Sequence, residues 1–329
     1  MNIAFFDTHG FEKAIFERVN QTHHHKITFF ETRLSRSTAN LAVGYSCVCA
    51  FVNDHLDQDV LKILSLNGTR LIALRSAGYN HVDMKAAKSF GLRVVRVPEY
   101  SPYAVAEHAV ALILSLNRKI HRAYNRVREG NFSLDGLVGF DLHQKTVGVI
   151  GTGKIGIVMA KILLGFGCHV LAYDLTPNSE LMNLGVKYGT LDEILQSSDI
   201  VSLHVPLNSH TKHILNERTL SITRPGVMLI NTGRGALIDT RALIKYLKSG
   251  HIGYAGLDVY EEEEDLFFED LSGQILQDDQ LARLLTFPNV LLTSHQAFLT
   301  KEALENIADV TLKNILEFEQ GNILSHEVK

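Results

Sequence analysis

Disulfide chemistry is all but missing from this chain: its 329 residues include three cysteines, at 47, 49 and 168. A low, odd count excludes a disulfide framework and points to a reducing compartment. Cys47 and Cys49 stand two apart in the apolar run 45–52, a spacing that puts both on one face of a strand. They read as buried packing residues, and no Cys or His set stands at metal-ligand spacing, so no metal is expected. The run His23–His25 reads as a solvated loop. Long apolar runs are missing too. The longest helix-like one, Ala109–Leu116, is far shorter than the roughly 18 residues a membrane span requires. The N-terminus has no basic segment before Asp7 and reads as a strand rather than a signal peptide, so the expectation is a cytoplasmic protein with no membrane partner. A charge excess of one sign is also missing. Lys plus Arg is 32 and Asp plus Glu is 36, a formal charge of −4, which argues against a nucleic-acid partner. With 46% hydrophobic and 21% charged residues, the composition excludes wholesale disorder, collagen-like chains and coiled coils. The length favours two domains.

The first hundred residues alternate apolar strands (3–6, 27–30, 46–51, 71–75, 92–97) with helical patterns (12–19, 60–66, 84–90). That alternation implies a parallel sheet with helices on both faces. Pro98 and Pro102 bracket a polar segment and mark a domain boundary. One long helix is expected from Tyr103 to Arg128, with a basic end that suits the helix macrodipole. A second alternation follows, with strands at 146–150, 169–173, 200–204, 227–231, 255–259 and 290–293. The final amphipathic segment, 301–318, has no following strand and is expected to pack back on the first domain.

Strand 146–150 runs into Gly151-Thr152-Gly153-Lys154-Ile155-Gly156 and then a helical pattern. The first glycine permits the tight turn, the second lets backbone approach a pyrophosphate, and the third lets helix and strand pack closely. Amides at the helix start, around Lys154 and Ile155, then face the phosphates. The next strand ends in Asp174, 18 residues after Gly156, where a carboxylate accepts from ribose hydroxyls and repels a 2′-phosphate. No Arg follows it, so the expected cofactor is NAD rather than NADP. In open α/β sheets ligands bind beyond the carboxyl ends of strands. Those ends here carry His204-Val205-Pro206, Thr232-Gly233-Arg234, Asp258 with Glu263 shortly after, and His295. A nicotinamide moves a hydride to or from a carbon bearing oxygen, and that oxygen must exchange a proton. Histidine suits the proton, a carboxylate on its other ring nitrogen orients it, and arginine forks onto a carboxylate. Arg234, Glu263, His295 and NAD together suggest interconversion of 2-hydroxy and 2-oxo acids.

These motifs resemble the D-specific 2-hydroxyacid dehydrogenases. The resemblance rests on the mid-chain glycine motif, Asn231–Gly235, Asp258–Glu263 and His295, and it spans essentially the whole chain. Residues 131–134, 265–270 and 294–300 are similar to the fermentative D-lactate branch. Ser294 stands where the wider family often has Pro, a departure shared by that branch. The resemblance implies two Rossmann-like lobes: a flavodoxin-like, discontinuous substrate domain (1–100 and 300–329) and an inserted NAD-binding domain (101–299). It implies reduction of pyruvate to D-lactate, with Arg234 binding substrate, His295 donating the proton and Glu263 holding it charged. Gly151, Gly153, Gly156, Asp174, His204, Val205, Pro206, Thr232 and Gly233 would hold the cofactor, and Asp258 would support its nicotinamide end. Arg75, Ala77 and Gly78 would cradle the substrate carboxylate, with Tyr100 and Phe298 as pocket walls. A homo-oligomer, dimer or tetramer, is implied as well. The alternatives are another 2-oxo acid as substrate and an NAD-sensing corepressor. Glu263, where the formate branch has Gln, disfavours that branch, and the 150 residues before the glycine motif disfavour the L-lactate enzymes.

Overall fold

The computed structural model describes residues 1–263 and 266–328. Glu264, Asp265 (the first residue of the 265–270 resemblance) and Lys329 lie outside the described residues. Internal contacts divide the chain into two compact units, Met1–Ser101 with Phe298–Lys329, and Pro102–Ala297. The first break adjoins Pro102, which opens a helix, a position where its missing N–H costs nothing. The return falls at Phe298, where 300 was expected.

The first unit contains β1 (Asn2–Phe5), α1 (Gly10–His23), β2 (Lys26–Phe29), β3 (Cys47–Ala50), α2 (Gln58–Leu66), β4 (Leu71–Leu74), α3 (Met84–Ser89) and β5 (Arg93–Val95). Its sheet is parallel throughout, in the order β2-β1-β3-β4-β5. β3 and β4 are buried at every position, as strands covered on both faces must be. Cys47 and Cys49 are free and buried there, and burial pushes the Cys49 thiol up to about 12. The C-terminal helix Lys301–Glu319 is capped by Thr300, whose hydroxyl accepts from the Ala303 amide. Its apolar stripe, including Leu304, Ile307, Ala308 and Ile315, packs on α1 and β4. Beyond it, Glu327 forms a forked pair with Arg93 at 2.6 and 2.7 Å, and the Val328 amide donates to Val94 O, so the tail lies along β5.

The second unit holds α4 (Pro102–Arg118), α5 (Ile120–Arg128), β6 (Thr146–Ile150), α6 (Lys154–Gly165), β7 (His169–Tyr173), α7 (Ser179–Asn183), β8 (Lys187–Tyr188), α8 (Leu191–Ser197), β9 (Ile200–Leu203), α9 (Glu217–Ser221), β10 (Val227–Asn231), α10 (Thr240–Lys248), β11 (Ile252–Leu257), α11 (Asp279–Leu285) and β12 (Val290–Leu292). The helix numbering closes with α12, the C-terminal helix of the first unit. The seven parallel strands of the second unit run β12-β11-β10-β9-β6-β7-β8. Chain order reverses between β6 and β9, the crevice where such sheets bind ligands. Alternate residues of the central strands feed two apolar clusters: Val147 and Val149 point to one, Ile150 and Leu203 to the other. The expected helix from Tyr103 to Arg128 is two helices. Lys119, at φ +50°, turns the chain between them, and the buried Asn117 side chain is engaged with both backbone groups of Phe140 (2.7 and 2.6 Å). α4 buries an apolar face against α6, β10 and β11, while α5 buries nothing.

Arg75 also departs from expectation. Its side chain is 0% exposed, so it does not offer itself to a substrate. The guanidinium makes a forked pair with Glu12 (3.0 and 2.9 Å) and donates to Phe6 O and Asp7 O at 3.1 and 2.9 Å. Burial works against this charge, but Glu12 and the neighbouring acidic groups hold Arg75 above the ordinary arginine value. The pair ties α1 and the end of β1 to the end of β4. Replacing Arg75 by Met strands the Glu12 carboxylate, and the expected loss is about 3–5 kcal/mol of stability, read by urea denaturation. An unchanged midpoint would contradict the tie.

Candidate active site

The turn after β6 is built from backbone constraints. Gly151 has φ +97°, and a Cβ there would lie 2.7 Å from the His204 carbonyl, so the β6 turn sits directly on the chain leaving β9. At Gly156 a Cβ would come within 1.9 Å of Gly151 O, which only a bare glycine permits. At Gly153, the N-cap of α6, a Cβ would meet nothing within 4 Å, and no side chain caps this helix start. The cradle is therefore closed on the protein side and open on the other, as bound phosphate oxygens require. Asp174, at the end of β7, accepts from the Thr152 amide and hydroxyl (2.6 and 3.1 Å) and from the Thr176 amide (3.1 Å). Burial opposes its charge, yet these donors hold the carboxyl below its usual range. It is ionised and fixed beside the glycine turn.

The neighbouring strand ends add the remaining groups. His204 lies 2.9 Å from Ser202 Oγ, and burial lowers its pKa to about 4, so the ring is neutral near pH 7. Val205 and Pro206 follow it. Thr232 is 6% exposed and its hydroxyl finds no partner among the described residues. An orphaned buried hydroxyl after β10, on the same carboxyl edge of the sheet as the glycine turn, fits a site whose last partner is a cofactor. Asn231 Oδ1 accepts from the Gly233 amide and Asn231 Nδ2 donates to Arg234 O, which shapes the 231–234 turn. Arg234 is half-buried and spends one N–H on Gly233 O at 2.7 Å.

Asp258 is fully buried at the end of β11. It accepts from Thr293 Oγ1 (2.6 Å) and from the amides of Gln296 (2.9 Å) and Ala297 (2.8 Å), with His108 Nε2 at 3.3 Å. Burial opposes its ionisation, but this donor set wins and holds the carboxyl low. Both oxygens accept from segment 293–297, so Asp258 braces that segment. That segment carries His295, whose φ of +49° is strained for a residue with a Cβ. His295 Nδ1 lies 2.7 Å from Glu263 Oε1, and Glu263 Oε2 accepts from the Tyr260 amide at 2.8 Å. His295 Nε2 makes no hydrogen bond among the described residues.

A family model described as "D-isomer specific 2-hydroxyacid dehydrogenase, NAD binding domain" matches residues 110–297, more than half of the chain. The chain belongs to the D-isomer-specific 2-hydroxyacid dehydrogenase family. It is 53% identical to the "2-hydroxyacid dehydrogenase homolog 1" of Schizosaccharomyces pombe, covering 98% of this chain and 97% of that one. It is 49% identical to the D-lactate dehydrogenase of Escherichia coli over the full length of both. A solved apo structure of an Escherichia coli D-lactate dehydrogenase superposes with a TM-score of 0.92 over all of both chains. The Aquifex aeolicus D-lactate dehydrogenase, solved with NAD and lactic acid, superposes at 0.88 with 34% identity and 99% coverage of each chain. The protein is an NAD-dependent dehydrogenase of this family, and the glycine cradle, Asp174 and the Thr232 hydroxyl are where its own residues fit the dinucleotide.

In the first unit, the turn after β4 presents two other expected site residues. The Ala77 carbonyl accepts from Arg96 at 2.5 Å and the Gly78 carbonyl from Ser76 Oγ at 2.7 Å. Neither the Ala77 nor the Gly78 amide donates to a described residue. Tyr100 and Phe298 stand together, with ring centroids 6.3 Å apart, and Phe298 also meets Phe11 and Phe51. The sequence reading missed His108 and Thr293, which brace Asp258. The His108 signal was a half-buried polar residue next to exposed Glu107 within the otherwise apolar run 104–114 of α4.

Gly153 and Gly156 separate a cofactor role from a folding role. Gly153→Ala should leave the thermal midpoint of the cofactor-free protein unchanged and weaken NADH binding by about tenfold or more, read by NADH fluorescence titration. Gly156→Ala should lower the midpoint itself. His204 supplies a pH test. Its folded pKa lies below the unfolded value, so its contribution to stability is present above about pH 6.5 and is lost as pH falls toward 4. In NMR titrations its ring signal should stay that of neutral imidazole down to roughly pH 5. A midpoint near 6.5 would refute the burial argument.

Proposed function

We propose that the protein is a D-lactate dehydrogenase that reduces pyruvate to D-lactate, reversibly, and so regenerates NAD during fermentation. The observation that carries the reading is the His295–Glu263 pair, with Nδ1 committed to a carboxylate and Nε2 left to other partners, on strand ends of an NAD-binding domain. When bound, the reduced nicotinamide supplies the hydride. Arg234 forks onto the substrate carboxylate and polarises the adjacent carbonyl oxygen. His295 gives that oxygen its proton from Nε2, while Glu263 accepts from Nδ1 and fixes the ring's orientation. The Ala77 and Gly78 amides take a carboxylate oxygen. Tyr100 and Phe298 limit the side chain to a small apolar group. Arg75 acts at one remove, by holding the β1 and β4 ends. Asp174 selects NAD over NADP by repelling a 2′-phosphate.

Location and assembly belong to the same proposal. No helix of the described residues is long and apolar enough to cross a membrane, and the three thiols are buried and unpaired, which supports a cytoplasmic setting. Exposed Tyr103, Ile120, Tyr124 and Val127 on α4 and α5 support a homo-oligomer, dimer or tetramer.

A panel of 2-oxo acids with NADH and NADPH, followed by absorbance, tests the activity. Pyruvate with NADH is the expected best pair, and faster turnover of a bulkier 2-oxo acid would reassign the substrate. His295→Gln should lower turnover by about 10²–10⁴-fold and leave NADH affinity unchanged. Glu263→Gln removes the carboxylate that holds the His295 Nδ1–H and orients the ring, so kcat for pyruvate reduction should fall by about tenfold or more with NADH affinity unchanged. An unchanged kcat would break the proposed pairing.

A further inference from the structure

His295 and Glu263 are not the one histidine–carboxylate pair at the carboxyl edge of this sheet. His213 Nε2 lies 2.5 Å from Glu261 Oε1. Like His295, His213 has a left-handed backbone, with φ +52°. Such a conformation persists where surrounding contacts over-determine it. Here they do so on three sides. The His213 amide donates to Ala236 O at 2.8 Å, Asn216 Nδ2 donates to His213 O at 2.9 Å, and the ring meets Glu261.

Glu261 is held as firmly. Its other oxygen accepts from the amide and hydroxyl of Thr240, at 3.2 and 3.1 Å, at the first residue of α10, where the helix dipole favours a carboxylate. Three chain segments therefore meet at one charged contact. One follows β9 and contains Pro206, whose carbonyl accepts from Thr211 Oγ1 at 2.5 Å. The second follows β10 and contains Arg234. The third follows β11 and contains Glu263.

The second and third segments also touch through bare backbone. A Cβ on Gly235 would lie 2.0 Å from the Tyr260 carbonyl, so the chain next to Arg234 rests on the chain next to Glu261. Glu263 is two residues further on and is itself tied to the Tyr260 amide. Glu261 thus adjoins Tyr260, which touches the backbone beside Arg234 and holds the Glu263 carboxylate.

We propose that His213 and Glu261 form a positioning pair that sets the spacing between Arg234 and the Glu263–His295 pair. Its catalytic consequence rests on the dehydrogenase reading above. Neither residue touches substrate; both act through the segments they clamp. A surface ion pair with no such role would add a fraction of a kcal/mol and nothing else.

The test uses His213→Leu, Glu261→Ala and the double variant, with Glu261→Gln as a milder change should either single variant fold poorly. Pyruvate KM is expected to rise about tenfold in each single variant, with kcat falling less and NADH affinity unchanged, because Arg234 loses its seat before the cofactor cradle does. The double variant should be no worse than the singles, since one clamp is removed in each. A second readout needs no turnover: in NMR spectra of the substrate-free protein, the His295 ring proton shared with Glu263 should shift or broaden in the variants. Wild-type KM and kcat with an undisturbed His295 signal, whatever the thermal midpoint, would overturn the proposal. Equal loss of NADH affinity and kcat would overturn it as well, by showing general disruption. A wild-type protein inert toward 2-oxo acids strikes the dehydrogenase reading alone, and the His295 signal then decides the clamp by itself.

Discussion

The site depends on one buried charge. Asp258 sits at the end of β11 with no solvent contact, and an ionised carboxylate there is tenable only with a full set of donors. Those donors are the hydroxyl of Thr293 and the amides of Gln296 and Ala297, with His108 alongside. Meeting the electrostatic need of Asp258 therefore fixes both flanks of His295. That double anchorage keeps the histidine in a backbone region it would otherwise leave, and it aims Nδ1 at Glu263. The side chain proposed to move the proton is placed by one that is out of reach of any substrate.

Parallel strands explain why the polar residues gather where they do. β9 and β10 are buried at every position, so their bodies accept only apolar or fully bonded side chains. Charged groups are displaced to the segments that follow, and because every strand in the sheet runs the same way, those segments share one edge. In the first unit the same rule sends Arg75 to the end of β4. There it meets a carboxylate from α1 and becomes part of the interior.

What the sequence disclosed follows from the range of the forces involved. β6, β7 and β10 are legible to the residue because their apolar runs are bounded by turn residues. The two-residue β8 is not, since Lys187 and Tyr188 carry no apolar pattern and pair with β7 through tertiary context. The break at Lys119 has no glycine or proline to announce it; the Asn117 contact with Phe140, 23 positions away, belongs to the same tertiary setting. Arg75 was implied as a substrate residue by the resemblance alone, and the carboxylate it meets, Glu12, stands 63 positions earlier. The residues of the glycine turn and the His295–Glu263 pair were legible because their chemistry admits few alternatives. The His213–Glu261 pair was not, because neither residue stands in a motif that demands it.

The tail along β5 has a consequence for the order in which the molecule is made. The second unit is one uninterrupted stretch, Pro102–Ala297, and can complete its core as soon as that stretch has left the ribosome. The first unit begins earlier but finishes later. The apolar stripe of α12 that covers α1 and β4 is made only after the whole second unit, and Glu327 and Val328 close the β5 edge after that. Until then the first unit carries an uncovered sheet face and an open strand edge, the features through which chains most readily associate wrongly. Residues 1–101 are thus made before the second unit and covered only after it.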